Sequence, residues 1–263
     1  MSSNRSALRA PSKLLLALEI RALFEIWMLL VAQPIIRFAP KGDGHPVIVF
    51  PGFSAGDWAT VLLRKFLKGR GYAVHGWNLG FNKGYYVGIE DKLRKRLSEI
   101  YHRYDQKVTL IGWSLGGLYA RELAHAMPET VRSVVTLASP FNNVSEGIGI
   151  SKLYEFVSGQ KINQISPKRI QLLKTPPPVP STSIYSHSDG VVASGCCNGI
   201  ESSDSENIAI PASSHCGLAS NPIVFWIIAN RLAQAQGSWQ PFKRESMISI
   251  LAQYPKKETL STV

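Results

Sequence analysis

Hydrophobic and polar residues fall into blocks that predict strands alternating with helices. Short, wholly apolar runs are typical of buried strands, whereas apolar residues three or four positions apart indicate helices that bury one face. The predicted strands span residues 46–50, 73–77, 107–113, 131–140, 181–189 and 206–212. The predicted helices span residues 57–72, 88–104, 114–127 and 221–235. This order favours an α/β fold, in which crossover helices join parallel strands.

Residues 14–36 form a strongly apolar run that three charged residues interrupt. Its longest uncharged stretch, residues 26–36, is shorter than the ~20 apolar residues that cross a bilayer. We see no clear cleavable signal peptide, because Glu19 breaks the apolar stretch early. We expect an amphipathic helix that either docks on the domain or lies in a membrane interface. The expected location is cytoplasmic, either free or attached peripherally to the inner face of the membrane through residues 13–36.

Two other stretches fall outside the alternation. Residues 141–180 form an insertion between predicted strands, and a connection of this length is often a lid over a site. Residues 237–263 show only weak periodicity. The predicted organisation is therefore an N-terminal helix and linker at 1–45, a core at 46–236 that carries the insertion as a cap, and a C-terminal tail.

Composition narrows the classes of partner. A chain of 263 residues, 45% apolar and 18% charged, is long enough to bury a full core. The formal net charge of +11 raises nucleic acid and anionic membranes as partners. The basic residues are spread along the chain, however, and the sequence has neither zinc-finger spacing nor an RNA-binding signature. We therefore expect no nucleic acid to bind, and the oligomeric state stays open.

The stretch Gly112-Trp-Ser-Leu-Gly116 matches the Gly-x-Ser-x-Gly pattern of a nucleophile elbow. A predicted strand precedes it and a predicted helix follows it. A side chain at Gly112 or Gly116 would crowd the sharp turn that carries Ser114. The alternative is a purely structural turn between strand and helix.

A serine nucleophile needs a base near it. Three histidines follow Ser114 in the sequence. His125 lies on the helix after the elbow, about 16 Å away at 1.5 Å per residue, and cannot turn back. His187 lies at a strand end, and His215 lies in the loop after the last strand. We predict His215 as the base, the alternative being a loop histidine that binds backbone.

The base in turn needs an acid to orient it. Asp189 directly follows a predicted strand, and the carboxyl ends of parallel strands meet at one edge of a sheet. Asp204 and Glu206 are rivals, but they precede the last strand and so lie at its opposite end. We predict Asp189 as the acid, although an Asp-Gly pair is also a common turn.

The developing oxyanion needs hydrogen-bond donors. The loop after the first strand contains Gly52, which allows close approach, and then Phe53, whose backbone N–H is one predicted donor. The other is the N–H of Leu115, the residue after the nucleophile. The alternative for the first loop is an ordinary glycine turn.

On these residues the chain resembles the α/β-hydrolase superfamily, and within it the bacterial lipases and esterases. The resemblance rests on the stretches VIVFPGF, LIGWSLGG, SDGVV and SSHCGL, and extends over residues 46–235. It implies a mainly parallel sheet flanked by helices, with a cap insertion. The chain departs from the family in having Pro51-Gly52 where many members have His-Gly. The usual first two antiparallel strands are also absent, and the N-terminal helix stands in their place.

The resemblance implies a serine hydrolase that cleaves carboxylic esters through an acyl-enzyme, with Ser114, His215 and Asp189 as the triad. It implies no metal and no cofactor, and a small-molecule or lipid ester as substrate. Apolar side chains of the predicted cap are candidates for the substrate pocket: Ile148, Leu153, Tyr154 and Phe156. Two other functions stay open, an acyltransferase or thioesterase with the same triad and a non-catalytic interaction protein on a hydrolase scaffold.

Three cysteines are too few for a disulfide scaffold. If Asp189 contacts His215, Cys216 comes near Cys196 or Cys197, so that a bridge could form under oxidising conditions. The alternative is three reduced thiols, which the cytosol favours.

Overall fold

A single parallel sheet forms the centre of the molecule. The computed structural model of the chain describes residues 10–142 and 166–242. Its strands are β1 (Pro46–Phe50), β2 (Ala73–Gly76), β3 (Val108–Trp113), β4 (Val131–Leu137), β5 (Ser181–Ser186) and β6 (Ser205–Ile210). Their order across the sheet is β2-β1-β3-β4-β5-β6, and every neighbouring pair is parallel.

Helices flank the sheet and precede it. The α-helices are α1 (Lys13–Ala17), α2 (Ala22–Val31), α3 (Gln33–Ile36), α4 (Val61–Gly69), α5 (Ile89–Tyr104), α6 (Leu115–Ala126), α7 (Pro167–Lys174) and α8 (Pro222–Leu232). Shorter 3₁₀ helices span Leu18–Arg21, Asp57–Thr60, Ser194–Cys196 and Gly217–Ala219.

Parallel pairing brings four loops to one edge of the sheet. At that edge Phe50 of β1 lies opposite Gly112 of β3. Because all the strands run in the same direction, the chain leaves β1, β3, β5 and β6 on the same side, where sites form in open α/β sheets. The loops carry Phe53, Ser114, Asp189 and His215.

Apolar side chains cover both faces of the sheet. Along β1, Val47 and Val49 belong to one buried cluster, and Ile48 and Phe50 belong to the other. This is the alternation that a strand imposes on successive side chains. The first cluster is covered by α4 and α8, and the second by α5 and α6. Burial on both faces explains why the strands are continuous apolar runs in the sequence.

The strands lie where the sequence predicts them, but two end three residues early. The strands predicted at 131–140 and 181–189 end at Leu137 and Ser186. The residues that follow leave the sheet and build loops at its carboxyl edge. After β4 the next three residues, 138–140, are buried in the loop, whereas after β5 His187 is exposed and Asp189 is buried.

The helix predicted at 57–72 is shorter and starts differently. It begins as a 3₁₀ turn and becomes α-helical at Val61. Asp57, the first residue of the predicted helix, does not cap it with its side chain. The Asp57 carboxylate instead accepts hydrogen bonds from the backbone N–H groups of Trp77 and Asn78, at 3.0 and 3.1 Å. It therefore ties this helix to the end of β2.

The N-terminal segment, residues 13–38, is helical but is not the one helix predicted for 14–36. It is divided into α1, a 3₁₀ turn, α2 and α3. Pro34 lies in the first turn of α3, where its missing N–H interrupts the hydrogen bonds that would continue α2. Leu29 and Ile36 are buried in the same cluster as α8, so the segment docks on the sheet. Within the described residues, no helix has the length and apolar character needed to cross a membrane.

Most of the predicted cap lies outside the described residues, and with it the pocket candidates Ile148, Leu153, Tyr154 and Phe156. The part described contains α7, which is held to α6 by Arg121. The guanidinium group of Arg121 donates to the carbonyl oxygens of Leu173 and Thr175, both at 2.9 Å. The division of the chain at residues 45 and 236 stays a prediction, although Phe242 packs into the core beyond the second boundary.

The cysteines form no bridge in the structure. Cys196, Cys197 and Cys216 are all free thiols. Cys196 and Cys197 are buried in a small apolar cluster with Tyr185 and Val192, and the Cys197 thiol donates to the carbonyl oxygen of Ala193 at 3.8 Å.

Packing at the end of β1 predicts a cost for substituting Gly116. A Cβ atom at this position would stand 2.5 Å from the carbonyl oxygen of Phe50, so the backbone would have to shift. Gly116→Ala should therefore lower the free energy of unfolding by about 1–3 kcal/mol. Gly69→Ala is the control, since a Cβ at 69 meets no atom within 4 Å. Thermal unfolding by calorimetry compares the two, and equal melting temperatures would contradict this packing.

Candidate active site

Ser114 lies on a strained turn between β3 and α6. Its φ and ψ are 54° and −121°, values that residues with a side chain rarely adopt. The N–H of Ser114 donates to the carbonyl oxygen of Leu137 at 2.7 Å, which fixes the turn to β4. A Cβ at Gly112 would lie 2.3 Å from the backbone of Gly116, so only glycine lets α6 pass this close to the strand. This is the backbone geometry that a nucleophile elbow requires.

Asp189 and His215 meet at the same edge of the sheet. Asp189 Oδ2 and His215 Nδ1 are 2.8 Å apart, and the two residues are only 3% and 4% exposed. The other carboxylate oxygen of Asp189 accepts hydrogen bonds from the N–H groups of Val191 and Val192, both at 2.8 Å. These bonds fix the orientation of the carboxylate. With Nδ1 bound to Asp189, Nε2 is the nitrogen of His215 that can accept a proton.

Opposing effects act on the pKa of His215. Burial disfavours the imidazolium ion and lowers the pKa, whereas the carboxylates of Asp189 and Glu19 stabilise it. The carboxylates prevail, and the pKa of His215 is raised above its ordinary value of 6.5. Only neutral imidazole acts as a base, so the fraction of competent His215 increases as the pH rises through this raised pKa.

Trp113 links the loop that carries His215, which we call the histidine loop, to the elbow. Its indole N–H donates to the carbonyl oxygen of His215 at 3.1 Å, and the centroids of the two rings are 5.8 Å apart. Ser114 follows Trp113 directly, so the histidine loop lies beside the elbow. Within the described residues, the Ser114 hydroxyl makes no hydrogen bond to His215. Hydrogen bonds of this kind often tighten only when substrate binds.

The loop after β1 packs against the elbow through Gly52. A Cβ at 52 would lie 3.1 Å from the indole ring of Trp113 and 3.2 Å from the Cβ of Ser114, so a side chain there would press on the elbow. Phe53, the first predicted oxyanion donor, follows Gly52. Leu115, the second, is the first residue of α6. The N-terminus of a helix favours a negative charge at this place.

Asn82, which the sequence did not single out, holds the loop after β1. Its side-chain N–H donates to the carbonyl oxygen of Pro51 at 2.9 Å, and its backbone bonds Ser54 and Ala55 at 2.9 and 2.7 Å. The residue is fully buried, and its side-chain oxygen accepts from the hydroxyl of Tyr119 at 3.1 Å. Asn82 lies in a stretch that the sequence pattern assigns to no strand or helix.

The rival candidates lie away from Asp189 and His215. His125 and His187 bond a carbonyl and a hydroxyl oxygen outside the site, each at 3.1 Å. Asp204 is exposed at the opposite edge of the sheet. Glu206 is buried but is paired with Arg231 at 2.9 Å, which joins β6 to α8. Neither acidic residue contacts His215.

Glu19 of the N-terminal segment bonds the two loops that contain Asp189 and His215, which we call the site loops. Glu19 Oε1 accepts from the backbone N–H groups of Gly190 and His215 at 2.8 and 2.9 Å, and Oε2 accepts from that of Cys216 at 3.1 Å. Gly190 follows the candidate acid, and Cys216 follows the candidate base. One side chain therefore binds both loops at once.

Glu25, one helical turn and a half further along, binds the histidine loop a second time. Its carboxylate accepts from the hydroxyl of Ser213 at 2.5 Å, from the N–H and hydroxyl of Ser214 at 2.7 Å, and from the amide of Asn221 at 3.3 Å. Glu25 is 5% exposed. Arg21, between the two glutamates, donates to the carbonyl oxygens of the loops at Ser188 and Ser213.

Two glycines of the loops provide room for the N-terminal segment. A Cβ at Gly190 would stand 2.2 Å from the carbonyl oxygen of Leu15, and one at Gly217 would stand 2.2 Å from the carboxylate of Glu25. In the sequence, the charged residues at 19–25 stand out only as interruptions of an apolar run. Their helical spacing was the signal that could have placed them on one face.

A cleft of about 630 Å³ lies between α5, α6 and α7, and neither Ser114, Asp189 nor His215 lines it. The ion pair between Glu122 and Arg169 borders the cleft. Within residues 10–142 and 166–242, no cluster of histidine, cysteine and acidic side chains has the geometry to hold a metal ion.

One curated relative shares part of the sequence. No protein-family model matches the chain. A pimeloyl-[acyl-carrier protein] methyl ester esterase from Shewanella woodyi is 33% identical over 99 residues, which are 37% of this chain and 37% of the esterase. The chain thus matches little more than a third of the length of that relative.

Several solved structures share the fold. Lipase B from Aspergillus fumigatus aligns with a TM-score of 0.62 at 16% identity, over 79% of this chain and 56% of the lipase. A lipase from Bacillus licheniformis aligns with a TM-score of 0.57 at 14% identity, over 75% and 95% of the two chains. A monoacylglycerol lipase from Paleococcus ferrophilus gives 0.53 at 14% identity, over 74% and 96%. The chain therefore has the α/β-hydrolase fold that its sequence motifs implied.

Proposed function

We propose that this chain is a serine hydrolase that cleaves carboxylic esters. The buried Asp189–His215 hydrogen bond, beside the strained turn at Ser114, is the observation that supports the proposal most strongly. Few structural purposes require a histidine paired with a carboxylate next to a serine with positive φ. The similarity to the Shewanella woodyi esterase favours ester hydrolysis in general.

The proposed reaction has two halves. Ser114 Oγ attacks the ester carbonyl carbon while His215 Nε2 takes the hydroxyl proton. The carbonyl π electrons move to oxygen, and the N–H groups of Phe53 and Leu115 stabilise this oxyanion. When the tetrahedral intermediate collapses, the C–O bond to the alcohol breaks and His215 returns the proton to the leaving alkoxide. Water then repeats the sequence on the acyl-enzyme and releases the acid.

Asp189 orients His215 and stabilises the imidazolium ion that forms during each half of the reaction. No metal or cofactor takes part in this scheme, because the imidazole supplies and removes every proton. The proposed substrates are small-molecule or lipid esters, with acyl or aromatic groups that apolar side chains of the predicted cap would accommodate.

Replacing the nucleophile should abolish hydrolysis. Ser114→Ala removes the attacking oxygen, so kcat/KM for p-nitrophenyl esters should fall by about a thousandfold or more. The melting temperature should change little, because the Ser114 side chain makes no hydrogen bond to any other described residue. Retention of more than about a tenth of the wild-type rate would reject Ser114. A wild-type protein inactive on esters of every chain length would instead favour the non-catalytic scaffold.

Replacing the acid should separate Asp189 from its rivals. Asp189→Asn should lower kcat by up to about ten-thousandfold, because an amide cannot hold His215 in the tautomer that accepts a proton. Asp204→Asn should leave kcat unchanged. Glu206→Gln should lower the melting temperature by weakening the buried pair with Arg231, with kcat of the folded protein near wild type. Equal losses of kcat in all three variants would overturn the assignment.

The pH profile should reveal Glu19 as a positioning residue. In the wild type, kcat/KM should rise with a midpoint above pH 6.5, because the pKa of His215 is raised. Glu19→Gln removes a negative charge that raises this pKa, so the midpoint should move to lower pH. The plateau of kcat should also fall, by about tenfold, because the amide keeps one acceptor oxygen for the N–H groups of Gly190 and His215 but turns a donor toward the N–H of Cys216, which disturbs the histidine loop. The exposed Glu129→Gln is the control, and identical profiles for both variants would reject this role for Glu19.

A further inference from the structure

The N-terminal segment is amphipathic in the reverse of the usual sense. A surface helix normally turns its charged residues to water and its apolar residues to the protein. In this segment, Glu19, Arg21 and Glu25 point inward and bond the site loops. The positions turned toward the domain recur every three or four residues, as Leu15, Glu19, Ala22, Glu25, Leu29, Ala32 and Ile36.

The opposite face, which we call the outer face, is apolar and exposed. Of the nineteen large apolar side chains that are exposed in the described residues, thirteen lie in this segment. They are Leu14, Leu16, Leu18, Ile20, Leu23, Phe24, Ile26, Trp27, Met28, Leu30, Val31, Ile35 and Phe38. Monomeric proteins rarely expose so large a contiguous apolar patch unless it is an interaction site.

Positive charge borders the outer face. Lys13 stands at its start, and Arg37 and Lys41 stand at its end, all three exposed. Arg37 lies over the ring of Phe38, with its guanidinium carbon 4.9 Å from the ring centroid. The acidic residues of the segment's helices are turned inward, so the charge presented outward is positive. An apolar surface with a basic border matches the interface of a bilayer that contains anionic lipid.

We propose that the outer face of the N-terminal segment docks on the surface of an anionic lipid bilayer. The apolar side chains enter the boundary between head groups and acyl chains, and the basic residues at either end meet lipid phosphates. A second copy of the chain fits the face less well. Two chains of net charge +11 joined here would bring their basic borders together, whereas an anionic surface neutralises them.

The hydrogen bonds of Glu19 and Glu25 make the outer face a fixed surface rather than a free tail. They also rule out a simple truncation as the test. Removing the segment would expose the core residues against which Leu29 and Ile36 pack, and would leave loop N–H groups without acceptors. Point substitutions of exposed residues avoid both problems.

The test is flotation of the full-length protein with vesicles of equal parts phosphatidylcholine and phosphatidylglycerol, against phosphatidylcholine alone. The outer-face variant is Leu23→Ser/Trp27→Ser/Leu30→Ser, whose side chains are 69%, 56% and 63% exposed. The matched control is Trp58→Ser/Val87→Ser/Ile200→Ser elsewhere on the surface, whose side chains are at least as exposed, at 70%, 99% and 69%. The charge variant is Arg37→Glu/Lys41→Glu, and its control is Arg94→Glu/Lys95→Glu on α5.

Wild type and both controls should float with the anionic vesicles and much less with phosphatidylcholine alone. The outer-face and charge variants should float about tenfold less, with unchanged melting temperatures. Equal flotation of the outer-face variant and its control would overturn the proposal, as would no binding of wild type to anionic vesicles. Equal binding to both kinds of vesicle would reject the anionic preference. A dimer in sedimentation that the outer-face variant dissociates, without flotation, would make the face an interface between copies.

Discussion

The candidate site depends on the buried hydrogen bond between Asp189 and His215. Strands β5 and β6 are neighbours, so they deliver both residues to the same edge of the sheet. Beyond that edge, the two loops lack the ladder of hydrogen bonds that fixes a strand. Their relative position is set by other contacts. The Ser188 hydroxyl of one loop donates to the carbonyl oxygen of Ser213 in the other at 3.1 Å, and the Glu19 carboxylate bonds N–H groups of both loops.

Burying a carboxylate costs several kcal/mol unless its oxygens are fully hydrogen-bonded. Glu25 meets this condition with four hydrogen bonds from the histidine loop and the start of α8. The same bonds satisfy loop donors that would otherwise be buried without a partner. The N-terminal segment and the site loops therefore fold as one unit. The inner face of the segment carries the glutamates that bond the loops, and the exposed outer face is therefore left with the apolar residues.

The parts of the structure that depend on local sequence pattern could be predicted from the sequence. The period of apolar residues predicted the strands, and the glycines around Ser114 predicted a turn whose backbone strain the structure contains. The contacts of Asn82, Glu19 and Glu25 form only when distant segments pack together. Helical spacing could place the two glutamates on one face, but it does not say what that face meets. Charges inside an apolar run normally indicate a face turned to water, and here tertiary contacts reversed that rule. The early end of β4 has a related origin, because the loop residues 138–140 are buried like the strand residues before them.

The central claim is that Ser114 is a nucleophile activated by His215. A fluorophosphonate reacts covalently with an activated serine and hardly at all with an ordinary hydroxyl. Labelling of the full-length protein, followed by peptide mass spectrometry, tests the claim directly. The account predicts one adduct, on the peptide that contains Ser114, formed faster as the pH rises through the pKa of His215. An unlabelled Ser114 in folded protein, or an adduct on another residue only, would contradict it.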